Sequence, residues 1–335
     1  MSRIDIKKTY KLFIGGQFPR SESGRSYEIK GANGKFIANP ALASRKDLRD
    51  SVTSAKSALS GWSSATAFNR GQILYRIAEI MEGRRDQFVT EIIALEGGSA
   101  KAANTQVEQA IDLWVWYAGW CDKIEGRIIP VPSGHTVMVR REALGVVLAL
   151  TPWNAPIFTA GWNVFPALAA GNAVLLKPSE FTPLTSLALG LIAEQAGLPR
   201  GLFQVLAGPG QGTGAALLAA PEIAKVVFVG GVAAGRAVAA TAAARGVPTV
   251  LELGGKSANI VFDDADFASA IQGAQQAIYA GSGQSCVAGS RLLVQRSLHD
   301  RFIAALAEAQ RRIRLGDPLD AATEMGPVAN ARQFA

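Results

Sequence analysis

Residues 143–176 read ALGVVLALTPWNAPIFTAGWNVFPALAAGNAVLL, a stretch without one charged side chain. Its length alone would span a bilayer. Pro152, Pro156, Pro166, Gly161, Gly171, Asn154, Asn163 and Asn172 nevertheless break it into strand, turn, helix and strand. A strand apolar on both faces, then a helix, then a second such strand, describes a parallel sheet covered by helices on both sides. The alternation continues downstream. Predicted strands lie at 146–150, 173–176, 203–206, 225–229 and 249–253, with helices at 184–196, 213–218 and 234–244. Short connections and right-handed crossovers make this a doubly wound α/β unit. A second run follows, with strands at 258–262 and 291–295 and helices at 264–279 and 298–314.

Upstream the periodicity is helical, over 46–58, 69–95 and 102–123, after a hairpin turn at Phe13-Ile14-Gly15-Gly16. The aromatics Trp114 and Trp116 lie on the last of these helices and read as core or lining. Residues 124–144 differ. Ile128-Ile129-Pro130-Val131 and Thr136-Val137-Met138-Val139 flank a turn at Pro132-Ser133-Gly134, which predicts a two-stranded arm outside the alternation.

Composition limits the function classes. The chain has 335 residues, enough for about two domains, with 49% hydrophobic and 18% charged residues. The net charge of +7 is scattered, with basic runs no longer than pairs such as Lys7-Lys8, so no nucleic-acid partner is expected. The prolines and glycines of 143–176 argue against a membrane span. Only Cys121 and Cys286 occur, far apart, and Met1 to Gly16 lacks an apolar signal core. A reducing, cytoplasmic setting follows. His135 and His299 have no metal-ligand spacing, and no metal site is expected.

The chemistry concentrates at predicted strand ends. Cys286 closes a glycine-rich loop, Gly281-Ser-Gly-Gln-Ser-Cys286, where a thiolate can be approached by small molecules. A lone cysteine is more often a small buried hydrophobe. Glu252 follows an apolar strand in Leu251-Glu252-Leu253-Gly254-Gly255-Lys256, where part-burial would make it a base; a pairing with Lys256 is the plainer reading. Asn154 sits in Thr151-Pro152-Trp153-Asn154, its turn stiffened by prolines, and a fixed amide is a good oxyanion donor. Lys177, Ser179 and Glu180 follow another strand in Lys177-Pro178-Ser179-Glu180; the carboxylate suits ribose hydroxyls, or the serine and glutamate merely cap a helix. Gly210 belongs to a glycine-rich turn that does not fit the GxGxxG pattern. Gly230 and Gly231 open a helix after a strand, where backbone N–H groups can hold a pyrophosphate.

The ordered set Thr-Pro-Trp-Asn, Lys-Pro-Ser-Glu, Phe-Val-Gly-Gly, Glu-Leu-Gly-Gly-Lys and Gly-Gln-Ser-Cys resembles the NAD(P)-dependent aldehyde dehydrogenase superfamily. The resemblance runs along nearly the whole chain, from a hairpin at Phe13–Phe18 to Leu315-Gly316-Asp317-Pro318 and Met325-Gly326-Pro327. It implies an aldehyde dehydrogenase-like α/β fold. Residues 1–123 and 145–254 would form a Rossmann-type cofactor domain, 124–144 an oligomerisation β-arm, and 255–335 an incomplete catalytic domain. It implies Cys286 as nucleophile, Glu252 as general base and Asn154 as oxyanion amide. Trp153, Lys177, Ser179, Glu180, Gly210, Gly230, Gly231 and Leu253 would line the cofactor cleft. The cofactor implied is NAD, with NADP possible, and the partners are a small aldehyde and further copies of the chain in a homo-oligomer. Aldehyde would become carboxylic acid through a cysteine thioester. Coenzyme-A-acylating members generally lack the glutamate matched by Glu252.

Two departures stand out. Gly231 and Val232 occupy positions where the family usually has Ser or Thr. The family's later Glu-containing Phe-Gly-Pro motif does not occur before Ala335, so a C-terminally truncated member is expected. The alternatives are a weak or inactive nucleotide-binding remnant and a coenzyme-A-acylating enzyme.

Overall fold

The computed structural model describes residues 8–132 and 134–335; the start of the N-terminal segment and Ser133 of the arm's turn lie outside the described residues. In chain order the elements are β1 (Thr9–Tyr10), β2 (Ile29–Lys30), β3 (Phe36–Pro40), α1 (Arg45–Ser63), α2 (Ala67–Glu82), α3 (Arg85–Glu96), α4 (Ala100–Trp120), β4 (Arg127–Ile129) and β5 (Val137–Val139). There follow β6 (Val146–Leu150), α5 (Pro156–Ala169), β7 (Ala173–Lys177), α6 (Leu184–Gln195), β8 (Phe203–Val205), α7 (Ala215–Leu218), β9 (Ile223–Gly230), α8 (Val232–Ala243) and β10 (Thr249–Leu253). The last part holds β11 (Ala258–Val261), α9 (Phe267–Tyr279), β12 (Arg291–Val294), α10 (His299–Arg311) and α11 (Ala331–Phe334).

The main sheet is parallel, in the order β10-β9-β6-β7-β8. Its central strands β6 and β7 are buried along their whole length, which is why their sequence is apolar on both faces. Each Val or Leu sealed there contributes about 1.5–3 kcal/mol of burial, so this ribbon anchors the core. Trp62 and Trp114 both pack into this core against α5: Trp62 Nε1 donates to Leu168 O (2.8 Å), and Trp114 stacks on Phe165 with centroids 4.5 Å apart. The hairpin at Phe13 extends the sheet, because Phe13 and Val205 exchange backbone hydrogen bonds (3.1 and 2.8 Å) beside β8.

Three expectations change in detail. The helical run over 69–95 is two helices, because α2 stops at Gly83 and α3 starts after Arg84. The helix expected at 213–218 starts earlier, as a wide π-turn over Gly210–Gly214. Trp116 is exposed beside Trp120, whereas Trp114 is core. The arm is an antiparallel β4–β5 ribbon that exposes Ile128 and Met138. Beyond β10, β11 and β12 pair in parallel, with a small core of Val261, Ala274, Phe302 and Leu306 under α9 and α10. Among the described residues no helix is long and apolar enough to cross a membrane.

Candidate active site

All five strands of the main sheet run the same way, so their C-terminal ends form one edge, the usual ligand edge of an open α/β sheet. The register aligns the predicted residues along it. Leu150, last residue of β6, lies opposite Lys177 and Phe228, and Leu253 lies opposite Gly230. Thr151 N donates to Lys177 O (3.2 Å), and Thr182 Oγ1 donates to Trp153 O (2.9 Å). The turns after β6 and β7, bearing Trp153-Asn154 and Lys177–Glu180, are therefore tied together.

The loop that carries Cys286 is tied to this edge. Asn154 Nδ2 donates to the backbone O of Gln284 at 2.9 Å, across 130 residues of chain. That leaves its second N–H for another acceptor. Cys286 is exposed two residues beyond Gln284, and its backbone N–H has no partner among the described residues. The Asn154 amide is thus bonded to the loop two residues before Cys286, whose own N–H is unmet among the described residues. Cys121, by contrast, is buried, and burial pushes its thiol up.

The two non-glycine residues with positive φ among those described, Ala155 (46°) and Ser282 (57°), sit on the two sides of this junction. Such conformations cost on the order of 1–3 kcal/mol each and persist where the surroundings hold them. Ala155 N donates to Glu96 Oε2 (3.0 Å), and Ser282 Oγ donates to Gly326 O (3.1 Å). The Gln284 side chain is fixed in turn by Ala329 N, which donates to its Oε1 (2.9 Å).

Glu252 is placed differently from the expectation. It is exposed, because β10 is an edge strand and its outward face lies open. It lines an open groove of about 400 Å³ together with Trp162, Asn163, Val250 and Tyr117. It does not pair with Lys256, whose Nζ bonds Gly255 O. Glu252 makes no direct hydrogen bond to Asn154 or Cys286 among the described residues.

The residues at the sheet edge fit a dinucleotide. Gly210 and Gly231 face open space, where a Cβ would meet nothing within 4 Å. No side chain caps α8, so its first N–H groups are free for a pyrophosphate despite the missing hydroxyls at 231 and 232. Leu253 packs against Gly235 of that helix. Lys177 is buried, which pushes its ammonium pKa down against the opposing pull of Glu180, whose Oε2 is 3.4 Å from Nζ. The Lys177 stem lies beside Gly214, joining the 210–214 turn to the ribose candidates. Ser179 is buried, and its Oγ accepts from Phe181 N (3.3 Å), a turn role. Among the described residues no cluster could hold a metal.

The sequence reading passed over Glu96, Gln284 and Trp162. Gln284 lies inside the quoted loop, but its importance comes from a backbone carbonyl, which no side-chain pattern announces. Burial pushes the Glu96 carboxyl up to about 8. Folding then favours its protonated form; that stability is complete below the ordinary value of 4.5 and is lost as pH rises through about 8. Between these limits the unfolding free energy should fall relative to that of Glu96→Gln. Urea midpoints of the two proteins that differ by a constant across that range would contradict this.

Comparison with known proteins accords with this geometry. The aldehyde dehydrogenase family model matches residues 18–335. The cytosolic 10-formyltetrahydrofolate dehydrogenase of Pongo abelii is 37% identical over 98% of the chain, and the mitochondrial one of Homo sapiens is 34% identical over 98%. The chain spans 37% and 36% of those proteins. A putative aldehyde dehydrogenase from Burkholderia cenocepacia superposes with a TM-score of 0.94 at 35% identity, over 96% of this chain and 66% of that one. Betaine aldehyde dehydrogenase of Staphylococcus aureus, in complex with NAD+ and with a BME-modified cysteine, superposes with a TM-score of 0.93 at 33% identity, over 96% and 67%. With its motifs, its sheet order and these matches in agreement, the chain belongs to the aldehyde dehydrogenase family.

Proposed function

We propose that the chain carries the thiol, oxyanion donors and dinucleotide edge of an enzyme that oxidises an aldehyde to a carboxylic acid with NAD. The observation that carries this reading is the Asn154 amide bonded to the nucleophile loop at Gln284 (2.9 Å). The Cys286 thiolate adds to the aldehyde carbon, forming a C–S bond. The carbonyl oxygen takes the negative charge and is met by the Asn154 Nδ2–H and the Cys286 N–H. NAD, when bound, supplies the two-electron acceptor that turns the thiohemiacetal into a thioester. Glu252 then takes a proton from water, whose oxygen attacks the thioester; the acid leaves and the thiol is regenerated.

Lys177 and Glu180 hold the adenosine ribose, and the Glu180 carboxylate disfavours a 2′-phosphate, so NAD is preferred to NADP. Val232 and Gly231 offer only backbone donors to the pyrophosphate, which weakens affinity for the dinucleotide. Glu252 favours water over coenzyme A as acyl acceptor. The exposed β4–β5 arm is the element for pairing with further copies of the chain.

The test is aldehyde-dependent reduction of NAD by the purified chain. Binding of NAD with no turnover would instead favour the nucleotide-binding remnant, and a rate that needs coenzyme A would favour the acylating enzyme. In Glu252→Gln, hydrolysis of the acyl-enzyme should slow by about 10²–10⁴-fold, the range of general base catalysis, while its formation persists. Mass spectrometry would show a thioester accumulating on Cys286; hydrolysis at the unaltered rate would remove Glu252 from the base role.

A further inference from the structure

We infer that Glu96 is a positioning residue for the oxyanion amide: it accepts the Ala155 N–H and so holds the left-handed turn that delivers Asn154 to the nucleophile loop. The inference rests on the oxyanion role proposed above for Asn154. Four observations carry it. Glu96 Oε2 accepts from Ala155 N (3.0 Å) and from Gln106 Nε2 (3.3 Å), so one oxygen clamps the turn and is itself steadied from α4. Ala155 has φ 46° and ψ 49°, a conformation an alanine does not choose unaided. No side chain of α5 caps its own N-terminus, so the glutamate from the end of α3 takes that place from a distance. The next residue, Gly97, touches the segment that fixes the other half of the site. Gly326 lies so close to Gly97 O that a Cβ would overlap it, and Gly326 O accepts from Ser282.

The polar accounting also fits a residue kept for position. Glu96 Oε1 and Gln106 Oε1 are both sealed from solvent without a partner. A carboxyl retained in such a place at the expense of two unpartnered buried oxygens is poorly explained as a stabilising contact. Its raised pKa has the same cause, burial. An aliphatic side chain would fill the space without that penalty but would leave the Ala155 N–H unmet and the turn free to relax. Relaxation of the turn swings Asn154 off its aim by the ångström that costs a well-placed group about 10²-fold.

The experiment separates aim from access on the full chain. Acylation of Cys286 by p-nitrophenyl acetate passes through a tetrahedral oxyanion as p-nitrophenolate leaves. Alkylation by iodoacetamide displaces iodide with no oxyanion. Asn154→Ala should slow acylation by about 10²-fold and leave alkylation unchanged. Glu96→Leu should slow acylation by about 10–100-fold, again sparing alkylation. Glu96→Gln, which keeps an acceptor at the same reach, should restore most of the acylation rate. The double variant Asn154→Ala with Glu96→Leu should be no slower than Asn154→Ala alone, since both act through one group. Wild-type acylation in Glu96→Leu beside a slow Asn154→Ala would overturn the inference and leave the oxyanion reading standing. Equal losses of acylation and alkylation in Glu96→Leu would also overturn it, as loop collapse. Wild-type acylation in Asn154→Ala would take down both. If Glu96→Leu fails to fold by circular dichroism, Glu96→Asp, one methylene too short to reach Ala155, decides by the same ratio.

Discussion

Cys286→Ala should abolish aldehyde-dependent NAD reduction, a fall on the order of 10⁴-fold or more, because the covalent route closes entirely. The fold should be untouched. Cys286 is exposed, and its side chain supports no core. The variant also gives a direct chemical readout. Iodoacetamide should label the wild-type chain once, at Cys286, and leave Cys286→Ala unlabelled. Cys121 supplies the control: it is 4% exposed at the end of α4, and burial pushes its thiol up, so little thiolate is present and little of it is reachable. Labelling at Cys121 with Cys286 untouched would reverse the assignment. Retained turnover in Cys286→Ala would remove the nucleophile from the mechanism, and with it the meaning of the Asn154–Gln284 contact.

How far the site could be read before the structure follows from where each determinant lies. Asn154, Lys177, Gly230 and Leu253 are the residues at or just after strand ends, and a strand with an apolar run on both sides announces its own end. The sheet order then sets them along one edge with no further information. Cys286 is different: its loop is legible, but its approach to the edge depends on Asn154 reaching Gln284 across 130 residues. Glu96 was not legible at all. It bonds Ala155 from 59 residues upstream, at a helix end that reads like any other. The placement of Glu252 also needed the sheet order, because nothing in Leu-Glu-Leu-Gly-Gly says that β10 is an edge strand with an open face. Gly83 lies inside the run that the periodicity reads as one helix; its role as a stop comes from the turn that Arg84 completes before α3.

Gly161→Ala should lower the unfolding free energy by about 3 kcal/mol, the upper part of the range for overpacking a core. The midpoint of α5 passes against the indole of Trp114, and a Cβ at Gly161 would overlap Nε1, Cε2 and Cδ1 of that ring. The ring cannot retreat. Trp114 is fully buried and stacked on Phe165 at 4.5 Å and 10°, so either the indole leaves its stack or α5 moves outward. The second response reaches the site, because Asn154 and Ala155 form the turn that leads into α5. A smaller ring should relieve the conflict. Trp114→Phe alone creates a cavity, yet combined with Gly161→Ala it should cost less than the sum of the two single changes, since the new methyl occupies part of the space vacated. Urea denaturation of the four proteins measures this directly. Additive losses would mean that the methyl and the indole do not compete for the same space. If Gly161→Ala also slows acylation of Cys286 more than its alkylation, the α4–α5 contact is setting the aim of Asn154 as well as the stability of the core.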